Sequence, residues 1–204
     1  EYLPDEIRRG DGSSLFDRIL ATNTDPALEI IDLRPALLSA REETQVYYRT
    51  DTHWNPEGAF AAYLVISATI GKDFPEVKQH EATDFSRVSE TISGDLSAML
   101  AMKNILMEES SELEPLFTRE ALTEDTGNSV VLKSRSRQPD LPRAMIFRDS
   151  FFNGLMPFMM EHFREAVVVR AFEPDMDWIT AEKPDLVIIE VAERYLPELL
   201  VGIK

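Results

Sequence analysis

The sequence predicts a single α/β domain, doubly wound in three layers around a mainly parallel sheet. Three observations carry that expectation. The apolar runs in "RAMIFRDSFF", "EAVVVRAF" and "DLVIIEVAERYL" lack the in–out alternation of a half-exposed strand, so each reads as a strand buried on both faces. Segments with apolar residues at helical spacing separate them, as a parallel sheet with crossover helices requires. The length of 204 residues suffices for one sizeable core and is short for two.

The elements follow in order. "ALEIIDLRPALLSAREE" reads as a short strand, Leu28 to Leu33, then a helix from about Pro35, where the missing proline N–H costs nothing. "TQVYYRTDTHW" is a second β-rich run centred on Val46, Tyr47 and Tyr48. Asn55 and Pro56 supply an N-cap and a first helical position for "EGAFAAYLVISATIG", which is expected to stop at Gly71. From about Lys72 to Arg143 the signal weakens. "EESSELEPLFTREALTED" carries seven acids against one base, Arg119, and is expected to be a solvated insert or lid at about 80–130, outside the core. Regular structure returns with a strand over Ala144 to Phe147 and a polar turn at Arg148-Asp149-Ser150. A helix through "LMPFMMEHF" follows, its Pro157 implying a delayed start or a kink.

Composition excludes several classes. A hydrophobic content of 44% with 28% charged residues describes a globular chain rather than a disordered one. A formal charge of −16 opposes non-specific binding to nucleic acid or to an anionic membrane surface. No apolar stretch approaches the roughly 18 residues of a membrane span. The absence of cysteine removes disulfides, thiolate catalysis and cysteine-ligated zinc together. The opening "EYLPDEIRRGDGSS" is polar and lacks an initiator Met, which points to a piece of a longer precursor.

Ligands of open parallel sheets collect at the carboxyl ends of the strands. Polar clusters are expected at such ends: Asp51 with His53, Arg148-Asp149-Ser150, and, less sharply, Glu193-Arg194-Tyr195. The first two supply a serine, a histidine and a carboxylate. A serine hydroxyl becomes a useful nucleophile when a neutral imidazole removes its proton, and the imidazole needs a carboxylate to fix its tautomer. Ser150 at a strand-to-helix turn would also offer its own N–H to an oxyanion. His80 and His162, the other two histidines, have no strand-end carboxylate beside them. A second reading of the same residues is structural: Asp51 and Asn55 cap backbone N–H groups, Trp54 packs on the core, and "DSF" is a plain turn. No third ligand for a metal on Asp51 and His53 is apparent, and no cofactor is expected.

"YYRTDTHWNPEGAFAAY", followed by "IFRDSFF" and "DLVIIEVAERYL", resembles the SGNH-hydrolase-like domain of alginate O-acetyltransferases and the related DHHW proteins. The resemblance covers about Leu28 to Gly71 and Ala144 to the C-terminus, with a looser match at "SGDLSAML". It implies an SGNH-like (flavodoxin-like) fold and transfer of acetyl groups to hydroxyls of an extracellular or cell-envelope polysaccharide. Asp51 would orient, His53 would be the base and Ser150 the nucleophile. Asp and His precede Ser here, a permuted order relative to ordinary SGNH hydrolases. The usual glycine of "GDS" is replaced by Arg148. Asn153 and Gly94 are candidate oxyanion donors, and Tyr48, Trp54, Arg148, Asn153 and Tyr195 are candidate substrate contacts. The resemblance further implies a periplasmic or other extracytoplasmic location and an acetyl donor delivered by way of a membrane-bound O-acyltransferase. A carbohydrate acetyl-esterase and a non-catalytic carbohydrate-binding scaffold are the alternative functions.

Overall fold

A computed structural model describes residues 12–124, 126 and 128–201; most of the polar opening segment lies outside them. The chain divides into two compact units, 31–192 and a smaller one formed by its first 30 and last 12 residues. In the smaller unit, helix α1 (Leu15–Thr22) starts with a reciprocal capping box between Ser14 and Asp17. Glu193–Tyr195 forms a 3-10 turn that leads into a C-terminal helix over Leu196–Val201.

The larger unit opens with Ile31 and Leu33, which pack on the core without entering any sheet. The expected strand over Leu28 to Leu33 is therefore absent: Ile31 and Leu33 are used in packing while Leu28 stays exposed, and the backbone finds no ladder. Helix α2 (Arg34–Glu43) has Pro35 in its first turn, as anticipated. The run around Val46–Tyr48 is likewise not a sheet strand. It folds back on itself through a single bridge between Tyr47 and Trp54, with Tyr48 N–H donating to the His53 carbonyl and Asn55 N–H to the Val46 carbonyl. That closure throws residues 49–53 out as a tight loop. Asn55 then caps helix α3 (Pro56–Asp73) by accepting from Gly58 N–H at 3.0 Å. The helix runs two residues past the expected stop at Gly71, ending at Asp73 with Phe74 as its C-cap.

Strand β1 (Phe85–Ile92) pairs antiparallel with β2 (Glu108–Pro115) in a two-stranded ribbon, and a short helix α4 (Asp95–Met99) lies between them in sequence. The acidic run is thus not purely solvated. Leu113 is buried in the main core and Phe117 packs against it, because alternation in β2 turns an apolar side chain inward among the acids.

The main sheet has the order β3–β4–β6–β5–β7, with β3 at Leu122–Glu124, β4 at Val131–Arg135, β5 at Arg143–Arg148, β6 at Glu165–Val169 and β7 at Leu186–Glu190. The three strands read from the sequence are mutually parallel, β6 to β5 to β7. Strands β3 and β4, which the sequence did not announce, add to the β6 edge antiparallel. The sheet is mixed, not the mainly parallel one expected. Apolar clusters cover both faces: α3 and α5 (Phe152–Met159) lie with the larger, containing Ala144 and Ile146, and α6 (Met176–Glu182) covers the smaller, with Met145 and Phe147. Edge strand β7 is only partly covered, leaving Val187 and Ile189 about two-fifths exposed. Pro157 sits inside α5, which starts at Phe152 without delay and passes into a 3-10 turn at Met160–His162.

His80 and His162 stack on each other and on Tyr63 of α3. The Tyr63 hydroxyl accepts from His80 N–H at 2.6 Å and donates to His162 Nε2 at 2.8 Å. Burial, then the neighbouring His80, pushes His162 down to about 3, so it is a neutral acceptor. Tyr63→Phe leaves both partners unsatisfied in a dry environment and should lower stability by about 1–3 kcal/mol in urea unfolding; an unchanged midpoint would show the bonds are not made.

Candidate active site

The loop of residues 49–53 is held from below by carboxylates that the sequence reading passed over. Glu108, at the start of β2, accepts from the backbone N–H groups of Arg49 and Thr50, from Thr50 Oγ1 and from Gln45 Nε2. Burial alone would raise its pKa; those donors carry it net down, so it stays ionised. Asp95 accepts from Thr52 N–H at 2.8 Å and Thr52 Oγ1 at 2.6 Å, and its own N–H donates to Asp51 Oδ2 at 2.9 Å. Gly94 makes this docking possible, since a Cβ there would overlap Asp51 Cβ and the Thr50 carbonyl. Its N–H donates to Thr50 Oγ1 at 3.1 Å, which removes Gly94 as an oxyanion donor.

On that support Asp51 Oδ1 meets His53 twice: it accepts from the backbone N–H at 2.9 Å and lies 2.6 Å from ring Nδ1. Burial pushes the Asp51 pKa up, but the Asp95 and His53 donors outweigh it and hold the carboxyl below its ordinary range. The opposite ring nitrogen, Nε2, lies 2.7 Å from Ser150 Oγ. With a carboxylate on Nδ1, the proton sits there and Nε2 is free to accept from the serine.

Ser150 reaches this position from the far side of the sequence. It follows β5, and the turn into α5 is tied by Asp149, whose Oδ1 accepts from Phe151 N–H at 2.7 Å and Oδ2 from Ala192 N–H at 2.8 Å. Trp54 Nε1 donates to the Phe151 carbonyl at 3.0 Å, and the two rings pack edge-on with centroids 5.4 Å apart. Gly154 lies under the indole; a Cβ there would stand 2.6 Å from Nε1. Phe151 also packs on the His53 ring at 4.7 Å.

The three side chains open on a cleft of about 290 Å³ whose wall includes Tyr48, Trp54, Asn153, Glu112, Pro157 and Phe158. Tyr48 is half-buried there, and Trp54 is buried. Asn153 Oδ1 accepts from Arg148 Nη1 at 2.7 Å, and Arg148 also donates to the Asp149 carbonyl. The guanidinium that replaces the expected glycine therefore braces the turn and is not on the cleft wall. Tyr195 belongs to the smaller unit, where the Arg194 guanidinium lies 4.8 Å from its ring centroid.

Asp95 also supplies the third potential ligand that the sequence did not reveal: one ligand atom each from Asp51, His53 and Asp95 lie within 4.8 Å of one another. The oxygens involved already accept from Thr52, His53 and the Asp95 backbone. The group is a closed hydrogen-bond circuit, which a cation would have to break.

The domain is an SGNH-like α/β protein. The chain belongs to the family of SGNH hydrolase-like domains of the acetyltransferase AlgX, whose model matches residues 1–136. That match ends before Ser150. Along 97% of its length the chain is 25% identical to the "Probable alginate O-acetylase AlgJ" of Pseudomonas syringae pv. tomato, and it spans about half, 54%, of that relative. The structure of Bacillus cereus PatB1 with a sulfonyl adduct superposes with a TM-score of 0.68 at 18% identity, over 88% of this chain and 72% of that one. A DHHW family protein from Eubacterium siraeum gives 0.61 at 20% identity, over 81% and 64%. Among the described residues no helix is long and apolar enough to cross a membrane.

Behind the serine, Glu190 Oε2 accepts from Asp149 N–H at 3.3 Å. Burial, then the adjacent Asp149 carboxylate, raises Glu190 to about 8. A carboxyl raised on folding stabilises fully below its unfolded value of about 4.5 and loses that contribution as pH climbs through about 8. Glu190→Gln should therefore raise the melting temperature at pH 8.5 relative to the parent and change it little at pH 5; parallel curves would refute the pair.

Proposed function

We propose that the chain is a polysaccharide O-acetyltransferase domain in which Ser150 is the nucleophile, His53 the general base and Asp51 its orienting carboxylate. The observation that carries this reading is the pair of contacts on one imidazole, 2.7 Å to Ser150 Oγ and 2.6 Å to Asp51 Oδ1. Family membership and the name of the AlgJ relative support the choice of an acetyl group and of a polysaccharide acceptor.

In the first half-reaction His53 Nε2 takes the Ser150 proton as Oγ attacks the acetyl carbonyl of the donor. The imidazolium then returns that proton to the leaving group, and an acetyl-serine ester remains. The Ser150 N–H and the Asn153 side-chain amide, whose Oδ1 is already held by Arg148, are the donors assigned to the oxyanion. In the second half-reaction a sugar hydroxyl gives its proton to His53 and attacks the ester; Ser150 leaves as the hydroxyl. The Asp-His-before-Ser order belongs to this proposal as the permuted arrangement. So do an extracytoplasmic location and a donor supplied through a membrane-bound O-acyltransferase. Tyr48 and Trp54 are assigned to the sugar as cleft-wall aromatics.

The triad is partly exposed, with a quarter of the His53 side chain accessible, so water also reaches the ester. An acetyl-esterase is the second reading, and product analysis separates the two: acetylated glycan for transfer, free acetate alone for hydrolysis. Ser150→Ala or His53→Ala should reduce turnover of a small acetyl ester by roughly 10⁴-fold or more, and Asp51→Asn by about 10⁴-fold. A sulfonyl fluoride should label Ser150 in the parent and not in His53→Ala. Equal turnover in parent and variants removes the catalytic claim and leaves a carbohydrate-binding scaffold.

A further inference from the structure

A second cleft, of about 280 Å³, lies on the other side of Asn55, which lines both. Two chain segments run past both cavities. Trp54, Asn55 and Pro56 wall the first, with Asn55 and Glu57 on the second; Glu112 walls the first, with Glu109, Ser110 and Ser111 on the second. Every side chain lining the second cleft is polar, with the hydroxyls of Thr44, Ser89 and Ser111 among them. Ser89 and Ser111 face each other as a register pair of the ribbon. A hydroxyl- and amide-lined trough without an apolar floor suits a ligand that presents hydroxyls all round.

The charges are one-sided. The first cleft is lined by Asp51 and Glu112 and the second by Glu57 and Glu109, against one cation, Arg87. Arg87 is committed to Glu57 through two hydrogen bonds, at 2.6 and 3.1 Å. Around Glu112 stand Glu90 and Glu114, opposed by Arg119; burial first and then the two acids raise its pKa. A glycan carrying a carboxylate on each residue would meet this field, and among the residues lining the two clefts no cation stands free to receive it.

We propose that the two clefts are successive subsites of one acceptor groove, and that the groove selects a glycan of two or more sugars without carboxylates over a polyuronate. This rests on the reading of Ser150 as the acetyl-transfer residue and deepens it by naming the acceptor class. It also separates this chain from the acceptor in the name of its AlgJ relative, since alginate is a polyuronate.

Binding to the Ser150→Ala protein tests the groove independently of chemistry. Calorimetry with hexasaccharides of glucose, glucosamine and mannuronate should show the first two bound about tenfold or more tightly than the third, with the gap closing as salt screens the field. Ser111→Trp, which fills the second cleft, should weaken the preferred hexasaccharide about tenfold and leave binding of its monosaccharide unchanged. Glu109→Lys, at an exposed position, should improve mannuronate binding. The proposal is overturned if mannuronate binds as well as or better than the others, if no hexasaccharide binds, or if neither variant changes the pattern. Small-ester turnover by the parent protein is a separate readout: its absence alongside selective glycan binding would sink the serine chemistry and leave the groove standing.

Discussion

The buried hydrogen bond from the Trp54 indole to the Phe151 carbonyl joins the two stretches of chain on which the site depends. Trp54 follows His53 and Phe151 follows Ser150, so one 3.0 Å contact aligns the imidazole and the hydroxyl from segments 97 residues apart. Its strength comes from its surroundings. The indole N–H is shut away from water and would be costly to leave unpaired, and Gly154 is what lets the ring approach. Around it the core aromatics Phe60, Phe85 and Phe158 lock α3 against α5 through edge-to-face contacts. The catalytic proposal needs no separate scaffold, because the core that folds the domain also sets the distance between imidazole and hydroxyl.

Precision at the other end of the histidine comes from polar bonds rather than packing. Residues 49–53 form no sheet, and a loop of that kind would be mobile if left to itself. Glu108 anchors its start, Asp95 anchors Thr52, and Asp51 is met by donors from both sides. The acidic character of the ribbon region therefore has two uses. Glu108 and Asp95 are consumed internally as acceptors for N–H and O–H groups, whereas Glu109 and Glu112 remain on the cleft walls and set its sign.

The sequence showed the parts of the fold that follow from periodicity: β5, β6 and β7 as parallel strands, and α2 and α3 from their prolines and the Asn55 cap. It also brought Asp51, His53 and Ser150 to notice, because their residue types recur in one kind of chemistry. Two expected strands failed for a shared reason. A short apolar run records that side chains are buried, not whether the backbone has a ladder partner, so Leu28–Leu33 and Val46–Tyr48 read as strands although one packs as coil and the other closes a loop. Strands β3 and β4 were hidden in the opposite way: "LTE" and "VLKSR" are short and largely polar, and their pairing is decided by the neighbour they meet. Glu108 and Asp95 were invisible as supports, since a carboxylate that caps a distant loop has no local signature. "SGDLSAML" held the one available clue, a glycine directly before an acid.

Residues 53 and 150 acquire a shared hydrogen bond only once α3 and the β5–α5 turn have docked. An unfolded or half-assembled chain carries an ordinary alcohol at position 150, inert toward acyl donors. If the proposed serine chemistry holds, that hydroxyl is a built-in gauge of assembly: its covalent capture would report the fraction of molecules whose core has closed, without reference to any substrate.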